Sequence, residues 1–210
     1  MKTKTKLVFF LMLLMVLGCA GNVYGFEFGI KGGPETSYSE LQYQGFKVGV
    51  FTTFPLWKNV VLQPELYVTQ RKIPYAGTTV EGFGVHGFLH VYDEMKYVEV
   101  PVLVKYTFNL KGDFRPIVFG GVYGAFRVSK NPGFEYEWFE TPLKSTNRRF
   151  KTMEGGVVIG VGLEHGRGKT KMLMEVRYNH GITTMRELLF SGSVYPDVHT
   201  EMTFMVGLGF

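Results

Sequence analysis

The feature that most constrains this chain is an alternation of apolar and polar side chains, repeated along eight segments. A period of two puts successive side chains on opposite faces of a strand. Phe26, Phe28 and Ile30 alternate with Glu27, Gly29 and Lys31. Phe46, Val48, Val50 and Phe54 alternate with Gly45, Lys47 and Gly49. Leu62, Leu66 and Val68 alternate with Gln63, Glu65 and Thr69, and Val98, Val100, Val102, Val104 and Tyr106 with Glu99 and Lys105. A fifth segment, from about Pro116 to Val128, has two faces too alike to assign. In the sixth, Val157, Ile159, Val161 and Leu163 alternate with Glu154, Gly156, Gly160, Gly162 and Glu164. Met174, Val176 and Tyr178 face away from Glu175 and Arg177, and Met202, Phe204, Val206, Leu208 and Phe210 from Glu201, Thr203, Gly207 and Gly209. No segment reads as a long amphipathic helix, so the expected fold is all-β and occupies residues 26–210 as one domain.

The first 25 residues differ from the rest. Lys2, Lys4 and Lys6 precede an unbroken apolar run from Leu7 to Leu17, followed by Gly18, Cys19, Ala20 and Gly21. This is the pattern of a secretory signal peptide, and the run is too short to span a bilayer. Val23 and Gly25 place small residues for cleavage after Gly25. The alternative is Val16-Leu17-Gly18-Cys19, a lipobox-like run in which Cys19 would be lipidated. Cys19 is the only cysteine, so ordinary cleavage leaves no disulfide and no thiolate metal site. The formal net charge of +5 includes three signal lysines; removing them from 23 basic residues leaves 20 against 18 acidic ones, a net of +2. That excludes the basic pI as an argument for nucleic-acid binding.

The connections alternate in length. Short, turn-rich ones are expected near Pro55 to Asn59, Asn109 to Asp113 and His165 to Lys171. Longer ones are expected at Pro34 to Gln42, Lys72 to Met95, Ser129 to Thr152 and Thr183 to His199. Short turns at one end and long loops at the other mark an outer-membrane barrel. In hydrocarbon every backbone polar group needs an internal partner, which for strands means closure. The expected fold is therefore an eight-stranded, antiparallel, up-and-down transmembrane β-barrel with periplasmic turns and extracellular loops. Its apolar faces meet lipid. Its interior is just wide enough for its own side chains, and Lys31, Lys47, Glu65, Glu99, Lys105, Glu154, Glu175 and Arg177 are expected to pair there as a structural network. Gly29, Gly49, Gly160, Gly162 and Gly207 would make room for them. Trp57, Tyr106, Phe108 and Phe114 are expected at the periplasmic aromatic girdle. Phe210, ending an alternating strand, is expected to act as an assembly signal for the barrel-assembly machinery.

The stretches LQPELYVTQRK (62–72), KYVEVPVLVKYTF (96–108), RPIVFGGVYGAF (115–126), GGVVIGVGLEHG (155–166) and MEVRYNHGIT (174–183) resemble the PorT-type outer-membrane β-barrel proteins. The Pro-Glu of the third strand and the Val-Pro-Val-Leu-Val-Lys of the fourth are the most specific parts. The resemblance implies a barrel with loops at the cell surface and no definite activity; one branch of that family serves a protein-secretion system.

Candidate chemistry is sparse. His86 and His90, with Asp93 and Glu94 nearby, would share a metal on a helix, but Gly82, Gly84 and Gly87 disfavour one, and extended chain sets the histidines about 13 Å apart at ~3.3 Å per residue. Asn179-His180 brings to mind a lipid-acting hydrolase, yet no serine stands two residues away to serve as nucleophile. The segment FEYEWFE puts Phe134, Tyr136 and Trp138 on one face, with Arg148 and Arg149 following, a pattern suited to a surface contact patch or to lipopolysaccharide phosphates. No cofactor and no metal are expected. The expected partners are outer-membrane lipid, lipopolysaccharide and the assembly machinery, with a secretion-system or extracellular protein beyond them, and no nucleic acid. The leading functional expectation is a non-enzymatic structural or surface-interaction barrel. Its alternatives are an accessory component of a secretion or envelope-assembly system, a lipid-modifying enzyme, or a small pore.

Overall fold

A computed structural model describes backbone and side chains at residues 26–37, 44–72, 94–129, 152–166, 170–183 and 200–210, and backbone alone at 73–82, 85–93, 130–136, 139–140, 184–190 and 193–199. The expected signal peptide and Cys19 lie outside the described residues. The alternating segments form eight strands: β1 (Glu27–Ser37), β2 (Gln44–Trp57), β3 (Val60–Gly82), β4 (Val85–Thr107), β5 (Phe114–Tyr136), β6 (Met153–His165), β7 (Lys171–Phe190) and β8 (Ser193–Gly209). A two-residue strand, Phe139–Glu140, pairs with the tip of β5.

Each strand pairs antiparallel with its neighbour in sequence, and β1 pairs with β8 to close the cylinder. Gly29 lies opposite Gly209, Lys31 opposite Gly207 and Ser37 opposite Glu201. Backbone hydrogen bonds exchanged by Phe28 and Phe210, at 2.7 and 3.1 Å, finish the seam. Closure removes the edge that an open sheet would expose to lipid.

Short turns fall at 58–59 and 108–113, and a third short connection leaves β6 at Gly166. Gly112 and Gly166 there adopt positive φ, 132° and 122°, a region that side chains with a β-carbon rarely enter. The Asn109 side-chain amide donates to the Asn59 side-chain oxygen at 3.0 Å, and the Gly166 amide to the Asp113 carbonyl at 3.3 Å, so these turns are tied to one another. The longer connections are built mostly as strand: β3 and β4 continue pairing to Gly82 and Val85, and β7 and β8 to Phe190 and Ser193. Pairing satisfies the backbone there just as it does in the membrane.

The two faces separate cleanly. Phe28, Ile30, Val48, Val68, Val104, Val118, Val122, Ile159, Val161, Val176, Phe204 and Val206 are exposed on the outside. Among the described residues, no Asp, Glu, Lys or Arg side chain faces outward between the row of Gln70 and Lys96 and the short turns. On β4 that band runs from Val98 to Tyr106, about 20–25 Å tall for a tilted strand, which matches the apolar belt of an outer-membrane barrel. So large an uncharged surface is out of place in water. The fifth strand, unreadable from its sequence, turns Ile117, Phe119, Tyr123 and Ala125 inward and Val118, Val122 and Val128 outward. Its faces look alike because its inner face joins an apolar half of the lumen, formed with Met95, Tyr97, Leu103 and Val158.

Inward glycines stand directly across from the largest inward rings: Gly29 from Phe51, Gly49 from Tyr67, Gly160 from Phe119 and Gly156 from Tyr123. In each pair the ring occupies the space a β-carbon would need. These four glycines therefore accommodate aromatic rings, whereas Gly162 and Gly207 give way to Glu175 and Lys31, as expected for the charged chains. Gly124 faces outward, and a β-carbon there would meet nothing within 4 Å. Gly160→Ala should therefore cost about 1–3 kcal/mol through overpacking, while Gly124→Ala should stay within about 0.5 kcal/mol of the parent. Urea unfolding followed by the heat-dependent gel shift of the folded barrel measures both.

Candidate functional site

Among the described residues, the lumen is where charged chemistry is concentrated. Alternation delivers a charged residue inward from nearly every strand, and the ions sort into tiers along the barrel axis. In the middle tier Lys31 of β1 meets Glu65 of β3 at 2.7 Å and Glu175 of β7 at 3.0 Å. Arg177 grips Glu65 with two nitrogens, at 2.5 and 2.8 Å, and also reaches Glu175 at 2.5 Å. Two cations and two carboxylates thus neutralise each other. The Gln63 amide donates to Glu65 at 2.6 Å.

The tier nearer the long hairpins is built around Arg71. Its guanidinium contacts Glu35 at 2.9 Å, Glu154 at 2.5 Å, Glu201 at 3.1 Å and Glu99 at 3.6 Å, carboxylates from β1, β6, β8 and β4. Lys47 shares three of them, at 3.0 Å to Glu35, 3.2 Å to Glu99 and 2.7 Å to Glu201. The Asn179 amide also donates to Glu201. The planar five-donor guanidinium suits such a hub because it holds several carboxylates in fixed directions. Near the short turns, Lys105 pairs with Glu164 at 2.7 Å, Arg115 lies 3.9 Å from Glu164, and Lys171 pairs with Glu27.

Rings separate this ionic side from the apolar half. Arg71 lies over Tyr97 at 4.7 Å, Arg177 over Phe119 at 5.0 Å and Lys31 over Phe51 at 4.7 Å. Arg71, Tyr67 and Glu65 are each 0 % exposed, so side chains fill the lumen at these tiers.

All eight residues expected in the interior network point inward and pair. The network also takes in Glu164 and Glu201, which stand on the polar faces expected from the sequence, and Glu35 and Arg71, which lie outside the expected strand segments. Glu35 falls in the loop expected from Pro34 onward, and Arg71 sits beside the expected strand boundary at Lys72. Counting by two from Lys31, or from Glu65 through Thr69, would have found both. Trp57, Tyr106, Phe108 and Phe114 are exposed at the short-turn end, where Tyr106 and Phe108 meet edge to face at 4.8 Å. Phe210 faces outward at the seam.

His180 also faces outward, its Nδ1 3.4 Å from the Thr200 hydroxyl and its ring stacked near Tyr178. Among the described residues no carboxylate is in hydrogen-bond contact with it. His86 and His90 lie in β4, extended rather than helical, with side chains outside the described residues. The same holds for the side chains of Phe134 and Tyr136, on β5, and for Trp138, Arg148 and Arg149 altogether.

Removing one member of a buried pair strands its partner, which costs about 3–5 kcal/mol. Arg177→Met should lose stability on that scale, because Glu65 and Glu175 would both be left against Lys31 alone. Adding Glu65→Gln to that variant should restore part of the loss, and urea unfolding in detergent or lipid vesicles reads both changes.

Comparison with known proteins agrees with this geometry. No curated protein matches the chain. Among solved structures, Neisserial surface protein A is similar with a TM-score of 0.54 and 13% identity, over 88% of this chain and 96% of that one. The outer membrane protein OprG from Pseudomonas aeruginosa is similar with a TM-score of 0.50 and 14% identity, over 87% and 94%. Identities this low speak to fold alone. The model of the outer membrane protein β-barrel domain family matches residues 13–187. With its closed cylinder, apolar belt and paired interior ions, this chain belongs to the outer membrane protein β-barrel domain family.

Proposed function

We propose that this chain is a non-enzymatic outer-membrane barrel with a structural and surface-interaction role, whose contact surface is a crown of strand extensions above the membrane. The carrying observation is the unequal height of the strands. Among the described residues, β2 pairs with β3 as far as Gln44 and Lys72, yet β3 and β4 stay paired to Gly82 and Val85. That extension amounts to about 33 Å of strand at ~3.3 Å per residue. β5 continues beside β4 as far as Tyr136, opposite Leu89. A lumen filled with side chains supports contact rather than conduction, and an outward-facing histidine beside a threonine, with no carboxylate partner among the described residues, does not favour a triad.

A second reading, an accessory role in secretion or envelope assembly, draws on the PorT-type resemblance. Its most specific parts contain Glu65 and Lys105, and the longer matching stretches around them contain Arg71 and Glu99, so the resemblance extends to residues that hold the interior network. Export by a cleaved signal peptide belongs to the same reading, as does recognition of β8 and Phe210 by the barrel-assembly machinery before the seam closes.

A photocrosslinking residue placed at Thr79, in the β3–β4 extension, should capture a discrete protein in intact cells, whereas one at Leu110, in a periplasmic turn, should not. Absence of any adduct from the crown would count against the surface-contact role. Planar-bilayer recordings should give no conductance steps, and His180→Ala should leave the lipid A profile unchanged; a change in either would favour the pore or the enzyme.

A further inference from the structure

We propose that the periplasmic mouth of the barrel is a site for the free carboxylate end of a short peptide, of the kind that cell-wall stem peptides present. The inference rests on the outer-membrane location and is independent of what the crown contacts. A cell-wall peptide gives no discrete protein adduct at Leu110, so the two readings do not conflict.

At the short-turn end the lumen is floored by the pair of Lys105 and Glu164, whose side chains are each 3% exposed. Outside that floor lies a bowl of about 170 Å³, walled by residues of β1 to β7 and by two short turns. Its charges do not balance. Lys58, Lys105, Arg115 and Lys171 line it, against Glu27 and Glu164. Including Lys111 and Asp113 of the adjoining turn gives five cations and three carboxylates, the same surplus of two. Both carboxylates of the bowl are engaged, Glu164 by Lys105 at 2.7 Å and Glu27 by Lys171. Arg115 spends one donor on the Gly166 carbonyl at 3.1 Å and stands 3.9 Å from Glu164, beyond hydrogen-bond reach. Among the described residues Lys58 has no ion pair. The surplus therefore survives with every partner counted, and it falls on Lys58 and Arg115.

A lysine and an arginine offer a carboxylate charge-assisted hydrogen bonds. The two resident carboxylates favour a guest with one negative charge over a phosphate dianion, which they would repel more strongly. The same bowl carries a feature specific to peptides. The Asn109 side-chain nitrogen donates to the Asn59 side-chain oxygen at 3.0 Å. That bond leaves the Asn59 nitrogen and the Asn109 oxygen without a partner among the described residues. One donor and one acceptor on adjoining amides match the acceptor and donor of a single peptide group. The Thr107 amide donates to the Asn59 carbonyl at 3.0 Å, so the asparagines are held in place before a ligand arrives. Trp57, 78% exposed, stands on the rim and offers a ring to the residue before the chain end. The volume admits a chain end and no folded loop.

The full mature chain, isotope-labelled and folded into phosphocholine nanodiscs, provides the test by NMR titration with N-acetyl-D-alanyl-D-alanine. Saturating shifts should appear at the backbone amides of Asn59, Asn109 and Gly166. The C-terminal amide of the same dipeptide should bind about tenfold more weakly or worse, as should the parent dipeptide to Lys58→Gln with Arg115→Gln, since each change removes charge-assisted hydrogen bonds. Lys58→Gln alone, in an exposed turn, should weaken binding and leave the fold intact. Lys72→Gln with Lys96→Gln, at the opposite end, should bind like the parent. The heat-dependent gel shift verifies that each variant is folded. Equal binding of the amide, or undiminished binding by both Lys58 variants, would overturn the proposal. So would equal saturation by acetate or inorganic phosphate, which would mean a generic anion site. The parent in nanodiscs should also cosediment with purified cell-wall sacculi, and the double variant should not. Dipeptide binding without cosedimentation would overturn the cell-wall assignment. Crosslinking from the crown is a separate readout, so either idea can fail alone.

Discussion

A cylinder of eight strands has to fill itself. Its bore is too narrow for a water column and too wide to be left empty, so every inward side chain must find a partner across the axis. Here half the bore is filled with apolar chains and half with ions. Each ion taken from water costs several kcal/mol, and that cost is offset only where opposite charges and hydrogen bonds meet with good geometry. Arg71 shows the consequence most clearly: one guanidinium gathers carboxylates from four strands that are far apart in sequence. The interior is therefore specified by long-range partners, while the exterior needs only to be greasy.

This difference explains what could be read from residues alone. The alternation on β1, β2, β4, β6, β7 and β8 has one face that is nearly pure hydrocarbon, so strand, face and lipid contact were all legible. Interior membership was legible wherever a charge interrupted that pattern, as at Lys31, Glu99 and Arg177. It failed in two ways. The strands run past the ends expected at Pro34 and Lys72, because proline and paired basic residues look like punctuation in water; in a barrel wall Pro34 simply faces outward. The faces of β5 were opaque because both are apolar, one against lipid and one against Tyr97 and Val158. Which carboxylate pairs with which cation was never legible, since pairing depends on the shear of the cylinder and not on spacing along the chain.

The same logic separates the ends of the molecule. The short turns are tied together by Asn59, Asn109, Asp113 and Gly166 and ringed by exposed aromatics, with Trp57 78% exposed. The other end departs from this uniformity, with a low stretch of wall at β1 and β2 beside tall sheet at β3 to β5. Variation of that kind on a rigid frame is where recognition is usually carried, and the buried ion tiers that fill the frame lie below it.

The opposed glycines and rings carry one more implication. Face alternation alone forbids a strand from slipping by one residue, since that would turn its charges to lipid. It is blind to a slip of two, which leaves every side chain on its proper side. Such a slip between β2 and β3 would carry the Tyr67 ring off Gly49 and set it against Lys47 or Phe51, where no hollow receives it. The notches at Gly29, Gly49, Gly156 and Gly160 thus act as a second ruler, reading registry in steps of two where polarity reads only odd from even.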